Sequence, residues 1–333
     1  MVPVRLVVLL LLGAGLARET HGGEEPVDLA RGCHDAASLE AAVAELWSLQ
    51  QTPALVLAPQ RVVLLREGEY ELRGTLLLPN NTALRAEPGH EVALRLVNTS
   101  VPHPVLRVRD ASGVTVSGIR VVGHASSSAG ELPQRSTALE VEGGADVTLE
   151  RLSVSGGVRL SGGVRHTLTR SVVSNEFGAS HGNCVYLTNA GDGMDLTPCG
   201  HTISHTEIRD CRGMGDPWPS SQHPCDPAKQ KKEHKPPCNP DPFPNITGNG
   251  ILINQVVGAI VSNNYIHNVN YHGIYSQSRI HSKFPDPNET PSANNLITLN
   301  HVEDYGQCSE DPVCNITGLS GQNGQPGADP GCM

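Results

Sequence analysis

Aromatic residues make up only 3% of this 333-residue chain and charged residues only 17%, beside 35 Gly and 25 Pro. That mix suits short strands joined by many turns better than a helical bundle. Basic charge is also short. The formal net charge is −10, and the one basic cluster, Lys229 to Lys232 with Lys235, lies in a Pro-rich stretch that reads as a solvated loop. Nucleic acid needs clustered Lys and Arg against its phosphates, so it is excluded as a partner. No apolar run after residue 17 is long enough to cross a membrane. Asn-Gly, the strongest hairpin signal, occurs only at Asn249-Gly250 and Asn323-Gly324, which speaks against a jelly roll or other sandwich. Cysteine spacing fits no zinc pattern. The acids are scattered rather than convergent, so no metal is assigned, with calcium the one ion kept open.

What is present begins with a secretory signal over residues 1–17. Arg5 supplies the positive region, Leu6 to Leu12 the apolar core, and Gly15-Leu16-Ala17 the small residues that cleavage needs. A secreted, extracellular protein is expected, acting as a monomer. Sequons at Asn80, Asn98, Asn245, Asn288 and Asn315 agree with that route, Pro291 weakening the fourth. So do nine cysteines, since an oxidising compartment favours disulfides. Cys184, Cys199, Cys211, Cys225, Cys238, Cys308 and Cys314 are the disulfide candidates. The odd count, with Cys332 next to last, leads to the expectation of an irregular or truncated tail over 307–333.

Residues 18–34 are a polar lead-in. Asp35 reads as an N-cap, and Leu39, Val43, Leu46 and Trp47 make one apolar stripe, which predicts a capping helix over 35–52. From Ala54 the period changes to two, and then a phrase repeats. Ser112 to Val121, Ala145 to Val154, Val164 to Val173, Cys199 to Ile208, Gly258 to Asn268 and Asn294 to Val302 fit one frame. Two apolar columns emerge: Val116, Leu149, Leu168, Ile203, Val261, Ile297, and Val121, Val154, Val173, Ile208, Ile266, Val302. A third short strand precedes each pair. A unit this small cannot bury its own apolar face, whereas stacking puts like residues over like. The predicted fold is therefore all-β, a right-handed parallel β-helix over 53–306 with an N-terminal capping helix. Intervals down the first column are 33, 19, 35, 58 and 36 residues. The excess gathers at one corner, and the longest part is a Pro- and Cys-rich loop insertion at 212–248.

Nine of the eleven aromatics and eight of the nine cysteines lie from Phe177 onward, so a site is expected in that half. Glycosidic cleavage needs two carboxyl groups, one acid and one base or nucleophile, and histidine serves as acid or base near neutral pH. Asp192, Glu303, Asp304 and His267 are the catalytic candidates. Asp195, His272, Tyr275 and Trp218 are the candidates for substrate binding. Alternation places Tyr275 on the opposite face from His272 and Ile274. Asn264 and Asn300 share a corner column and read as a stacked amide ladder.

From Asn183 to Gly306 the chain resembles secreted β-helix proteins of the pectate-lyase-like (pectin-lyase-like) superfamily, and within it a glycoside hydrolase family that includes α-L-fucosidases and xylanases. The segments that carry the likeness are Leu187, Gly191-Asp192-Gly193, Leu196-Thr197-Pro198 with Gly200-His201, Ser262 to Asn268, and His272-Gly273-Ile274. Gly193 stands where that family has Arg, and Asn268 where it has Asp. The resemblance implies a polysaccharide or glycan substrate and hydrolysis by two carboxylates. A β-elimination lyase and a non-catalytic extracellular binding or wall protein are the alternatives. Scarce Arg and Lys in the strands after Arg170 count against the lyase.

Overall fold

The computed structural model describes residue 33 and residues 35–50, 60–97, 103–123, 137–176, 182–189, 198–211, 248–269, 271–277 and 292–303. The expected signal peptide, the 212–247 part of the loop and the 307–333 tail lie outside the described residues.

Helix Ala36–Gln50 opens the fold. Asp35 caps it, its Oδ1 accepting the Ser38 N–H at 2.8 Å, which satisfies one of the orphan donors of the first turn. Leu39, Ala42, Val43 and Leu46 form the buried stripe. The Trp47 indole donates to the Leu77 carbonyl at 2.8 Å, and Gln50 donates to the Asn80 carbonyl at 2.7 Å. The helix therefore covers the apolar end of the first coil, which would otherwise face water.

The strands form three sheets, all parallel. Sheet A takes Arg61–Leu65, Thr82–Ala86, Thr115–Ser117, Thr148–Glu150, Thr167–Thr169, Thr202–Ser204, Ile260–Ser262 and Leu296–Thr298. Sheet B takes Gly68–Leu72, Val92–Leu96, Arg120–Val122, Ser153–Ser155, Val172–Asn175, Glu207–Cys211, Tyr265–Val269 and His301–Val302. Sheet C takes Leu76–Leu78, Leu106–Arg109, Leu139–Glu142, Val158–Ser161, Val185–Thr188, Ile251–Asn254 and Ile274–Gln277. Each coil gives one strand to A, then B, then C, and the next coil pairs directly upon it. That is a parallel β-helix with eight described coils, the last contributing to A and B.

The register reproduces the apolar columns. Leu84, Val116, Leu149, Leu168, Ile203, Val261 and Ile297 stack in sheet A. Leu94, Val121, Val154, Val173, Ile208, Ile266 and Val302 stack in sheet B. Nearly all are fully buried; Ile297, on the last described strand of its sheet, is 43% exposed. Each buried Leu, Val or Ile contributes about 1.5–3 kcal/mol relative to exposure. The side-chain period of two then fixes which residues point outward.

Two corners carry special chemistry. Between sheets C and A, Gly144 has φ +70°, and a Cβ there would lie 2.0 Å from the Ala111 carbonyl oxygen of the coil below. Between sheets A and B the turn residue is left-handed in successive coils, at Gly118, Arg151, Arg170, His205, Asn263 and Leu299. The next position inward is the amide ladder. Asn264 Oδ1 accepts the Thr206 N–H at 3.1 Å, and Asn264 Nδ2 donates to the Ile203 carbonyl at 3.0 Å. Asn300 repeats the arrangement one coil on, accepting from Asn264 N–H and donating to the Val261 carbonyl.

Candidate functional site

The three outer faces differ in what they leave available. Sheet A presents hydroxyls, with Thr115, Thr148, Thr167 and Thr202 in one column. Sheet C pairs much of its outer face internally, although Arg159 Nε and Asn254 Oδ1 are buried without a hydrogen-bond partner. Arg107 pairs with Glu140 at 2.6 Å, Arg159 lies over the Tyr186 ring, and Asn254 donates to the Tyr186 hydroxyl at 3.0 Å. Sheet B brings acids, imidazoles and a phenol together on one face.

On sheet B the inward column Ile208, Ile266, Val302 throws its flanking residues outward. Glu207, Tyr265 and His301 form one register column, and Arg209 and His267 start a second, with Glu303 one residue beyond the paired Val302. His267 Nε2 lies 3.1 Å from Glu207 Oε1, and its ring stacks on Tyr265 with centroids 4.5 Å apart. The Tyr265 hydroxyl donates a short hydrogen bond to Glu303 Oε1, and His301 Nε2 lies 3.1 Å from Glu303 Oε2. Tyr265, and then His301, hold the Glu303 carboxyl below the usual carboxylate range. Arg209 sits 3.5 Å from Glu207, and Asn268 donates to Asp210 at the end of the same strands.

Two carboxylates therefore flank one rung that carries an imidazole and a phenol. By strand spacing and rise, the main-chain positions of Glu207 and Glu303 are about 12 Å apart. Both side chains lean toward the rung between them. A groove of about 680 Å³ lies on the same face in the preceding coils, floored by Ala93, Ser153 and Val172 and ending directly below Glu207.

A second concavity, of about 70 Å³, opens at the corner between sheets C and A, lined by Gly163, Thr188, Asn189, Cys199, His201 and Val257 among others. Burial pushes the Cys199 thiol up, away from the thiolate that nucleophilic chemistry needs. This concavity is therefore not assigned a catalytic role.

The sequence candidates divide. His267 and Glu303 come together on sheet B. His272 and Tyr275 lie elsewhere, at the corner between sheets B and C and on sheet C. Their rings meet at 4.9 Å, although alternation separates them. The strand starts only at Ile274, so His272 is still in the corner, where alternation does not hold. Asp192, Asp195, Trp218 and Asp304 lie outside the described residues. So do Asn98, Asn245, Asn288 and Asn315; Asn80 is exposed, its Oδ1 accepting the Ser112 N–H at 2.7 Å. Cys184 and Cys211 are bonded to one another. Cys199 is a correction to the disulfide candidates: its thiol is free. It stands at the corner between C and A, while Cys184 and Cys211 stand at the corner between B and C. Cys225, Cys238, Cys308 and Cys314 lie outside the described residues. Among those residues, no three His, Cys, Asp or Glu are placed to hold a metal ion, and no helix is long and apolar enough to cross a membrane.

Glu207, Tyr265, Arg209 and His301 escaped the sequence reading as site residues. The signal was present: each lies one residue from an apolar column position, which puts it outward and level with His267 or its neighbours.

No protein-family model matches the chain, and no curated protein does. Among solved structures, the Dettilon tailspike protein superposes with a TM-score of 0.50 at 12% identity, over 85% of this chain and 45% of its own. The surface adhesin PfbA of Streptococcus pneumoniae gives 0.47 at 13% identity, over 84% and 61%. The A-module of a mannuronan C-5 epimerase from Azotobacter vinelandii gives 0.40 at 13%, over 84% and 86%. The chain spans less than half the length of the tailspike it matches. Together with three all-parallel sheets, the tailspike likeness places this chain in the class of parallel β-helix proteins.

Proposed function

We propose that the protein is a secreted, polysaccharide-active β-helix protein, and specifically a glycoside hydrolase working from the outer face of sheet B. One observation carries this reading. Glu303, kept ionised by Tyr265 and His301, stands across a single rung from the Glu207–His267 pair. Ionised Glu303 takes a proton from water, and that water attacks the anomeric carbon. His267, when it carries its second ring proton beside Glu207, gives that proton to the departing glycosidic oxygen and returns to neutral imidazole. Carboxyl groups that leave room for a water, about 6.5–9.5 Å apart, cleave with inversion. The likeness of Ser262 to Asn268 to the fucosidase and xylanase family supports the same reaction class.

The test is reducing-end release from a panel of xylan, fucosylated glycans and pectins. Glu303→Gln is expected to lower turnover by about 10²–10⁴-fold with its melting temperature unchanged, as loss of a general base does. Full activity in that variant, or no release from any polysaccharide, sinks the assignment. The Tyr265–His267 stack also favours a second reading, proton abstraction beside a sugar carboxylate. A lyase of that kind leaves an ultraviolet-absorbing unsaturated end, whereas a hydrolase does not.

A further inference from the structure

The groove on sheet B carries an arrangement of charge that hydrolysis itself does not require. Arg120, Arg151 and Arg170 line it, one from each of three successive coils, all exposed. Arg151 and Arg170 each stand one residue past the paired positions Glu150 and Thr169, so they stack in one corner column, with exposed His205 next above. Like charges held at ladder spacing repel. Arg151, Arg170 and His205 also adopt left-handed backbone, with φ of 52°, 51° and 51°, where Gly or Asn is less costly. Arg151 reaches Glu150 at 2.9 Å, but Arg120 and Arg170 form no ion pair among the described residues. Acids line the far end of the groove, at Glu67, Glu69 and Glu91, and Glu69 is engaged by Arg95 at 3.2 Å. Charge thus changes sign along the groove, and the basic part adjoins the rung of Glu207.

We infer that the groove takes an anionic glycan, whose carboxylate or sulfate groups seat on Arg120 and Arg170 and lead the chain to Glu207, His267 and Glu303. This rests on the polysaccharide reading above and names the substrate class for it. Three guanidinium groups on adjacent coils suit a polymer whose negative groups recur along its length. Coils repeat every 4.8 Å or so, and one pyranose unit is about as long. Guanidinium binds carboxylate and sulfate alike through paired N–H donors. The net charge of −10 opposes indiscriminate adsorption of polyanions, so retention requires a local basic site.

The experiment is affinity electrophoresis of the whole protein in gels containing polygalacturonate, a sulfated galactan or neutral xylan. The acidic gels are expected to retard the wild type and xylan to do so weakly. The double variant Arg120→Ala with Arg170→Ala is expected to lose at least about ten-fold in affinity, as removal of charge-assisted hydrogen bonds does. Arg73→Ala, an exposed arginine outside the groove, is expected to bind as wild type. Retardation by only one acidic polymer identifies the anion and upholds the inference. Equal binding of xylan, or equal losses in Arg73→Ala, overturns the anionic class while leaving a polysaccharide protein standing. No retardation by any polymer overturns both.

Discussion

The imidazoles of His166 and His201 lie stacked inside the cylinder, their centroids 4.7 Å apart and both residues essentially inaccessible. They occupy the position just before the sheet A strand, where neighbouring coils place Val114, Val147 and Ala259, all buried. His201 Nδ1 accepts the His166 N–H at 3.2 Å. The Gly143 and Gly162 carbonyls face His166, but neither of its ring nitrogens completes a hydrogen bond of good geometry. Burial lowers His166 from 6.5 to about 4 and His201 from 6.5 to about 3. Asp146 and Arg165, paired at 2.7 Å, act on His166 in opposite directions. The unfolded chain takes up both protons below pH 6.5, while the fold refuses them until about pH 4 and 3. Stability is therefore complete above 6.5 and falls as pH drops through that window, by up to about 2.7 kcal/mol per pH unit for two sites. Urea unfolding at pH 7 and pH 5 checks this. Replacing both histidines by Val, the residue of the neighbouring coils, is expected to flatten the acid slope. An unchanged slope in that variant assigns the acid sensitivity to other groups. These histidines were not legible as core, because a polar residue at a corner reads as surface until register places it in a buried column.

At the scale of elements, the amide ladder and the disulfide do separate work. Asn264 satisfies the Thr206 N–H and the Ile203 carbonyl in the interior of a turn. Its replacement by Ala leaves both unmet, and a loss of about 2–4 kcal/mol is expected in denaturant unfolding. Cys184 and Cys211 close a sequence interval of 27 residues. The bond joins the entry to Val185–Thr188 with the end of Glu207–Cys211, so it ties two successive coils together at the corner between sheets B and C. Removing both cysteines is expected to cost about 3 kcal/mol, with sheet B activity retained. The ladder was legible in the repeated phrase, since Asn264 and Asn300 share its frame. The disulfide was not. Spacing offered many partners for Cys184 and Cys211, and only the three-dimensional corner selects one.

Over the whole molecule, the solenoid was legible because one side-chain period serves every coil. A one-residue slip would turn Val261 or Ile266 into water, so the columns fix the register and therefore the outward faces. The candidate site on sheet B was less legible. Glu207, His267 and Glu303 come from three coils, with interruptions of 58 and 36 residues between corresponding positions. Nothing local marks them as neighbours; only stacking does. The sequence pointed to His267 and Glu303 together with Asp192 and Asp304, which lie outside the described residues; among the described residues Glu207 stands beside His267.

The proposed hydrolysis needs two carboxyl groups to act across one rung of sheet B. The anomeric configuration of the freshly released sugar, read by proton NMR before mutarotation, tests that geometry most directly. Glu207 and Glu303, whose main-chain positions are about 12 Å apart, predict inversion. Release with retained configuration would contradict it.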